Sequence, residues 1–373
     1  MEKETVHLNT KKVAIIHDWL NGMRGGEKVL ESILDLFPDA DIFTLFLDEA
    51  KVSDKINSHR IFSSSLNKRK WIKKRYRIFL PVLPLAIESF NMKGYDLIIS
   101  SSHCVAKGII PEPDALHISY VHSPMRYIWD QYDEYFGTSK GIKKKIISYF
   151  ASKLRIWDVT ASARVDRFIA NSTFVGKRIE KFYRRASDVI NPPIDTEFFT
   201  PKENPKREFF LTVSALVPYK RVDLLIEAFN KSGDKLIIVG NGPEEKILKA
   251  KAKKNILFVN GINQKELREL FRDAIAFIFA GVEDFGMAFV ESLACATPIL
   301  AYKRGGVLDI VKDKQTGILF QNQSVKDIIE GIELIKTMNF DMNVLRNRSL
   351  DFSEFRFKEN IITLVNNEIK KRN

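Results

Sequence analysis

The sequence predicts an α/β chain of two doubly wound domains, each a parallel β-sheet wrapped by helices. Short apolar runs of strand length alternate with segments of helical spacing along nearly the whole chain, as parallel strands joined by helical crossovers require. The alternation is interrupted by the proline-marked stretches Asn191-Pro-Pro-Ile-Asp-Thr and Thr200-Pro-Lys-Glu-Asn-Pro-Lys, and it restarts at Phe209. A length of 373 residues also exceeds what one core ordinarily organises.

The first half opens with an apolar strand, Lys12 to His17, followed by a helix over Glu27 to Leu36. Strands follow at Ile42 to Leu45, Tyr95 to Ser100 and His117 to Val121, each too short and too apolar for a surface helix. A helix over Ile142 to Asp158, a strand at Arg167 to Asn171 and a helix over Thr173 to Tyr183 complete this half. The second half places strands at Phe209 to Val213, Lys235 to Val239, Ile256 to Val259, Ile275 to Phe279, Pro298 to Ala301 and Gly317 to Phe320, with helices between them. These readings set a first domain at 1–192, a linker at 193–207 and a second domain at 208–352. The last stretch, Ser353 to Arg372, is helical in pattern and is expected to pack back on the first domain. Ligands of such folds bind at the carboxyl ends of strands, so a cleft between the domains is the expected site.

The formal charge of +12 implies an anionic partner. Two runs concentrate it. Lys-Arg-Lys-Trp-Ile-Lys-Lys-Arg-Tyr-Arg, between Asn67 and Arg77, contains no acid and precedes Ile78-Phe-Leu-Pro-Val-Leu-Pro-Leu. Lys140 to Trp157 sets Lys143, Lys144, Lys145, Lys153 and Arg155 among Ile146, Ile147, Tyr149, Phe150 and Leu154. Both suit an anionic membrane surface, and both also suit solvated amphipathic helices packed on their own domain. A nucleic-acid motif is absent from the sequence, so no nucleic-acid partner is expected. No apolar run approaches the ~20 residues of a bilayer crossing. The start, Met1 to Thr5, lacks the apolar core of a secretion signal, and a cytoplasmic protein is expected, peripheral at the inner face of the plasma membrane. Cys104 and Cys295 read as inert buried thiols.

Two carboxylates, Glu283 and Glu291, stand eight positions apart across a strand-to-helix turn. Between them Asp284, Phe285, Gly286, Met287 and Ala288 bring the start of a helix, whose N–H groups and dipole suit a diphosphate. Lys220 and Arg221 are candidate cations for the same charge, or else merely begin a surface helix. Gly240, Gly242, Gly261, Gly305 and Gly306 lie in loops after strands, where either a nearby nucleotide or a turn needing positive φ explains them. In the first half, Gly25 and Gly26 follow Asp18-Trp-Leu-Asn-Gly-Met-Arg and let backbone approach a ligand. His122, in Tyr120-Val-His-Ser-Pro-Met-Arg-Tyr-Ile-Trp-Asp130, stands at the end of an expected strand.

Four motifs in order carry a resemblance: Val213-Ser-Ala-Leu-Val-Pro-Tyr-Lys-Arg-Val-Asp-Leu-Leu-Ile-Glu-Ala-Phe229, Val239-Gly-Asn-Gly-Pro243, the Glu283/Glu291 pair, and Tyr302-Lys-Arg-Gly-Gly-Val-Leu-Asp-Ile-Val311. Together they resemble the retaining GT-B glycosyltransferases of family 4, the E-x7-E type, which use a nucleotide sugar without a metal. The Asp-Trp-Leu opening with Gly-Gly-Glu-Lys and the His-Ser-Pro-Met-Arg-Tyr box resemble, more narrowly, mannosyltransferases of bacterial surface-polysaccharide assembly. The resemblance implies two Rossmann-like domains facing a central cleft, GDP-mannose as donor, and a glycan acceptor on a polyprenyl diphosphate. By it His122, Glu283 and Lys220 are catalytic. Gly25, Gly26, Arg221, Gly240, Gly242, Gly261, Asp284 to Ala288 and Glu291 hold the donor. Asp18, Arg126, Tyr127 and Trp129 shape the acceptor pocket, with Asp130, Ser102, His103 and Lys107 joining them, and a structural role suits Arg126, Tyr127, Trp129, Asp130, Ser102, His103 and Lys107 at least as well. No metal or other cofactor is expected, since the one Asp-x-Asp, Asp39-Ala-Asp41, precedes a strand at the wrong end. Two departures stand out: Ala215 where the family carries arginine, and Ala296 where it carries glycine.

Overall fold

A computed structural model describes residues 12–69, 71–72, 76–137 and 139–372. Met1 to Thr5 and, in the first basic run, Lys70, Lys73, Lys74 and Arg75 lie outside the described residues. The chain divides into two compact units, one reaching Pro193 and resuming at Phe357, the other running from Ile194 to Arg356.

The strands of the first unit are β1 (Val13–His17), β2 (Asp41–Thr44), β3 (Ile61–Ser63), β4 (Leu97–Ser102), β5 (Leu116–Val121), β6 (Arg167–Ala170) and β7 (Asp188–Val189). They form a seven-stranded sheet in the order β3-β2-β1-β4-β5-β6-β7, and every pairing is parallel. The order reverses between β1 and β4, and a crevice at the carboxyl edge of such a switch point is where sheets of this kind bind ligands.

Both faces of this sheet are covered, which is why its strands read as continuous apolar runs. Along β1, Ala14 and Ile16 join one core with Phe43 and Ile98, whereas Val13 and Ile15 join the opposite one with Leu30 and Ile42. The helix Glu354–Lys370 enters that second core through Phe357, Ile361 and Val365, one apolar residue every four.

The second unit holds β8 (Phe209–Val213), β9 (Leu236–Val239), β10 (Ile256–Val259), β11 (Ala274–Phe279), β12 (Ile299–Tyr302) and β13 (Gly317–Phe320). Its six-stranded sheet runs β10-β9-β8-β11-β12-β13, again wholly parallel, with the reversal between β8 and β11. A register shift between Ala274 and Ala276 flips the parity of β11. Ala274 therefore shares a core with Phe277 and Phe279, while Ala276 and Ile278 face the other side. The doubly wound α/β architecture expected for both halves is thus observed.

Single elements differ from expectation. The strand expected at Tyr95 to Ser100 lies at Leu97–Ser102 and ends in three buried serines. The helix expected at Ile142 to Asp158 runs Gly141–Ser162. β3 and β7 are short edge strands without an apolar run to announce them. Among the described residues no helix is long and apolar enough to cross a membrane.

Candidate active site

In the first unit, the chain leaves β1 at Asp18, whose side chain is fully buried. Its Oδ2 accepts N–H bonds from His103 at 2.7 Å and Cys104 at 2.9 Å, and its Oδ1 accepts from Val105 at 2.7 Å and Ala106 at 2.8 Å. His103 Nδ1 stands 3.1 Å from Oδ2. A carboxylate enclosed in this way fixes the loop after β4 against the loop after β1. Asp18, expected at the acceptor, ties the loops on the two sides of the sheet's switch point together.

His122 follows β5, and its Nε2 lies 2.8 Å from Ser101 Oγ at the end of β4. The same hydroxyl lies 3.0 Å from Nδ1 of His17, the last residue of β1. One serine thus joins two imidazoles from flanking strands. Burial, with His103 nearby, pushes the His17 imidazole down to about 3, so its ring is neutral. Glu27, buried and 4.0 Å from His17 Nε2, has its carboxyl raised by the same desolvation. Its Oε2 accepts the Arg24 N–H at 3.0 Å and so closes the start of the helix Gly25–Leu34. Gly26 sits above both rings: a Cβ there would come within 3.6 Å of His17 Cε1 and 3.8 Å of His122 Nε2.

The expected acceptor residues divide. Arg126 Nε donates to Ser123 Oγ at 3.2 Å, and Tyr127 packs edge-on against Tyr135. Trp129 stacks on Phe182 and donates its indole N–H to Asp158 at 2.8 Å. That carboxylate also pairs with the buried Lys107 ammonium and accepts from Tyr183 at 2.9 Å. Asp130 pairs with Arg178. Trp129 and Lys107 therefore meet at the buried Asp158 carboxylate, and Asp130 is held by Arg178 at the surface.

In the second unit, Lys220 and Glu283 meet. The loops after β8 and β11 flank the sheet's reversal, and the Lys220 ammonium pairs with Glu283 Oε1, with 9% and 25% of the two side chains exposed. Arg221 adopts a left-handed φ of 55°, caps the helix Val222–Ser232 and turns its guanidinium to Asp223 at 3.1 Å. Asp284 follows Glu283 and is buried, and Glu291 is buried on the helix Met287–Ala294. Gly286, at φ 91°, precedes that helix where a Cβ would lie 2.4 Å from the Phe289 ring. Gly305 and Gly306 let the loop after β12 lie on the 283–285 turn: Gly306 N donates to Glu283 O at 2.9 Å, and a Gly305 Cβ would stand 2.5 Å from that oxygen. Gly240 and Gly242 likewise pass close to Ser214 O and Leu216 O, whereas Gly261 stands in open space. Ala215 is exposed on the loop after β8.

The sequence reading overlooked His17, Ser101 and Glu27. The signal was three serines closing an apolar strand, Ser100 to Ser102, where solvated serine has no reason to be buried. Among the described residues no group of three His, Cys, Asp or Glu side chains could hold a metal ion.

Residues 193–349 match the family of glycosyl transferases group 1, and the match falls on the unit that carries Lys220, Glu283 and Glu291. An uncharacterized glycosyltransferase of Methanocaldococcus jannaschii is 29% identical over 181 residues, 47% of this chain and 51% of that protein. A GDP-mannose-dependent alpha-(1-6)-phosphatidylinositol monomannoside mannosyltransferase of Mycolicibacterium smegmatis is 28% identical over 178 residues, 39% of this chain and 46% of that one. The chain thus spans about half the length of these curated relatives. The crystal structure of Anabaena HepE with UDP-glucose superposes with a TM-score of 0.67 at 15% identity, covering 95% of this chain and 99% of that one. The architecture is therefore that of the GT-B glycosyltransferases, and the likeness to the group 1 glycosyl transferases lies in residues 193–349.

Proposed function

We propose that the chain is a retaining glycosyltransferase that moves mannose from GDP-mannose to a glycan carried on a polyprenyl diphosphate, in the synthesis of a cell-surface polysaccharide at the cytoplasmic face of an anionic membrane. The observation that carries the transferase reading is the pairing of Lys220 with Glu283 at the carboxyl edge of the second sheet, between the strands where its order reverses. The GDP-mannose-dependent relative supports the donor, and the expected motifs support the acceptor.

In this reading Lys220, Arg221 and the start of the helix Met287–Ala294 stabilise the diphosphate as negative charge grows on it, in place of a metal. Glu283 accepts hydrogen bonds from the sugar hydroxyls and Glu291 from the ribose, because ionised carboxylates are acceptor-only. His122, its ring fixed through Ser101, addresses the transferred sugar. The acceptor oxygen attacks on the face from which the diphosphate departs and its proton passes to the leaving phosphate, so the anomeric configuration is retained. A covalent glycosyl-enzyme trapped on Glu283 or an aspartate would refute that course.

The test is a thermal-shift panel of GDP-, UDP- and ADP-sugars, followed by product analysis with a lipid-linked acceptor. A donor that binds the folded form raises the midpoint. A shift with GDP-mannose and transfer abolished in Glu283→Ala are expected. A shift with UDP-sugars alone would replace the donor, release of an altered donor sugar without acceptor would make the protein an epimerase, and no turnover at all would make it a silent glycan- or lipid-binding partner.

A further inference from the structure

The buried residues of the helix Gly141–Ser162 all lie in its second half, at Ala151, Leu154, Asp158, Ala161 and Ser162. Of its first ten residues nine are exposed and Ile147 is half-buried. Ile142 is 76% exposed, Ile146 51%, Tyr149 60% and Phe150 41%. At 3.6 residues per turn, Ile142, Ile146, Tyr149 and Lys153 fall within an arc of about 60°, on the side away from the buried residues. An aliphatic and aromatic stripe facing water costs solubility and gains nothing within the unit.

The charge around that stripe has one sign. From Tyr135 to Trp157 there is no acid, and Lys143 and Lys145 flank the stripe of Ile142 and Ile146, about 100° and about 60° round the helix from Ile142 on its two sides. The segment Tyr76–Val82 and the helix Leu83–Glu88 of the same unit expose Ile78 at 71% and Leu85 at 70%. A second copy of this chain would bring like charges together on an acid-free face. A nucleic acid would pair with the lysines but offer nothing to Ile142 and Ile146. A bilayer carrying anionic headgroups satisfies both features, apolar side chains in the acyl boundary and ammonium groups at the phosphates.

We propose that the first half of the helix Gly141–Ser162 docks on an anionic lipid bilayer, inserting Ile142, Ile146 and Tyr149 while Lys143 and Lys145, on either side of that stripe, pair with headgroups. This deepens the reading of a lipid-linked acceptor, on which it rests for its purpose, though its physical argument needs only the exposed stripe and its charge.

The experiment is co-sedimentation of the full chain with vesicles of phosphatidylcholine alone and of phosphatidylcholine mixed with phosphatidylglycerol. Binding to the anionic vesicles only, weakened by salt, is expected. A double variant, Lys143→Gln/Lys145→Gln, should lose affinity by about fivefold per lysine. A second, Ile142→Ser/Ile146→Ser/Tyr149→Ser, should lose at least tenfold, and both should melt close to the wild-type midpoint because these side chains are exposed and contribute little buried area. Wild-type protein left in the supernatant overturns the proposal, as does an apolar variant that binds like wild type, which would reduce the contact to simple charge adsorption. Dimerisation in solution that the apolar variant abolishes also overturns it, in favour of a second copy. Nucleotide-sugar thermal shifts on the same samples keep the two questions apart, since loss of vesicle binding with an intact donor shift leaves the transferase reading standing.

Discussion

Replacing Glu283 by Gln isolates the pairing on which the candidate site turns. The Lys220 ammonium is nearly enclosed and Glu283 is a quarter exposed. Two unit charges at about 4 Å in an effective dielectric of about 20 attract by about 4 kcal/mol, and the exposure of Glu283 reduces this to roughly 2 kcal/mol. A diphosphate that takes Lys220 as a ligand must compete with that attraction. In Glu283→Gln the competitor is gone, so the Kd for GDP should fall by about tenfold to thirtyfold, at roughly 1.4 kcal/mol per factor of ten. Transfer should move in the opposite direction, by about a hundredfold or more, because an amide replaces the acceptor-only group that holds the sugar. The ligand-free variant should also melt earlier, since Lys220 is left as an uncompensated buried charge, and GDP should recover more of that loss than it adds to wild type. Calorimetric titration with GDP and UDP, beside turnover, reads both signs. Nucleotide affinity that is unchanged or weaker in the variant would refute Lys220 as a phosphate ligand and reduce the pair to a brace between two loops.

Three further outcomes are expected. Asp18→Ala leaves four buried N–H groups without their acceptor and should lower the unfolding free energy by about 3–5 kcal/mol, read from denaturant midpoints. Gly305→Ala must hold φ near 92° and displace Glu283 O from 2.5 Å, so it should cost roughly 1–3 kcal/mol and weaken donor binding in a thermal-shift titration. His17 and His117, pushed down by burial to about 3 and about 4 from an ordinary 6.5, stay neutral in the fold while the unfolded chain takes up their protons. Stability should therefore decline as pH falls below about 6.5, before most carboxylates titrate. Glu27, raised by burial, acts with the opposite sign, so the readout is the difference between wild type and His17→Asn, whose decline should be shallower.

The architecture was legible because its cause is local. A strand buried on both faces must be apolar at every position, and Val13-Ala-Ile-Ile, Leu97-Ile-Ile and Ala274-Ile-Ala-Phe-Ile-Phe announce themselves in that way. Where the cause is tertiary the reading slipped. β4 continues into Ser101 and Ser102 because partners elsewhere satisfy their hydroxyls, His17 and His122 for Ser101 and the Lys107 N–H for Ser102. β3 and β7 exist only because a neighbouring strand supplies their hydrogen bonds, in parallel register with Ile42 and Ile169.

The candidate site follows the same division. Glycines near Glu283 could be picked out as turn residues, but their common purpose appears only when Gly305 and Gly306 are seen against the 283–285 backbone, where any side chain would collide. The two acids and the lysine could be named from the sequence, yet nothing in the sequence says that Lys220 and Glu283 neutralise one another. Asp18 shows the limit most sharply. A lone aspartate after a strand invites a role in binding, and only the loop 85 residues later reveals that its charge is consumed by backbone N–H groups. Removing it would therefore disturb His103 and the crevice edge even if no ligand ever touches it, so loss of activity in an Asp18 variant cannot by itself place that residue at an acceptor; an unfolding measurement on the same variant separates the two.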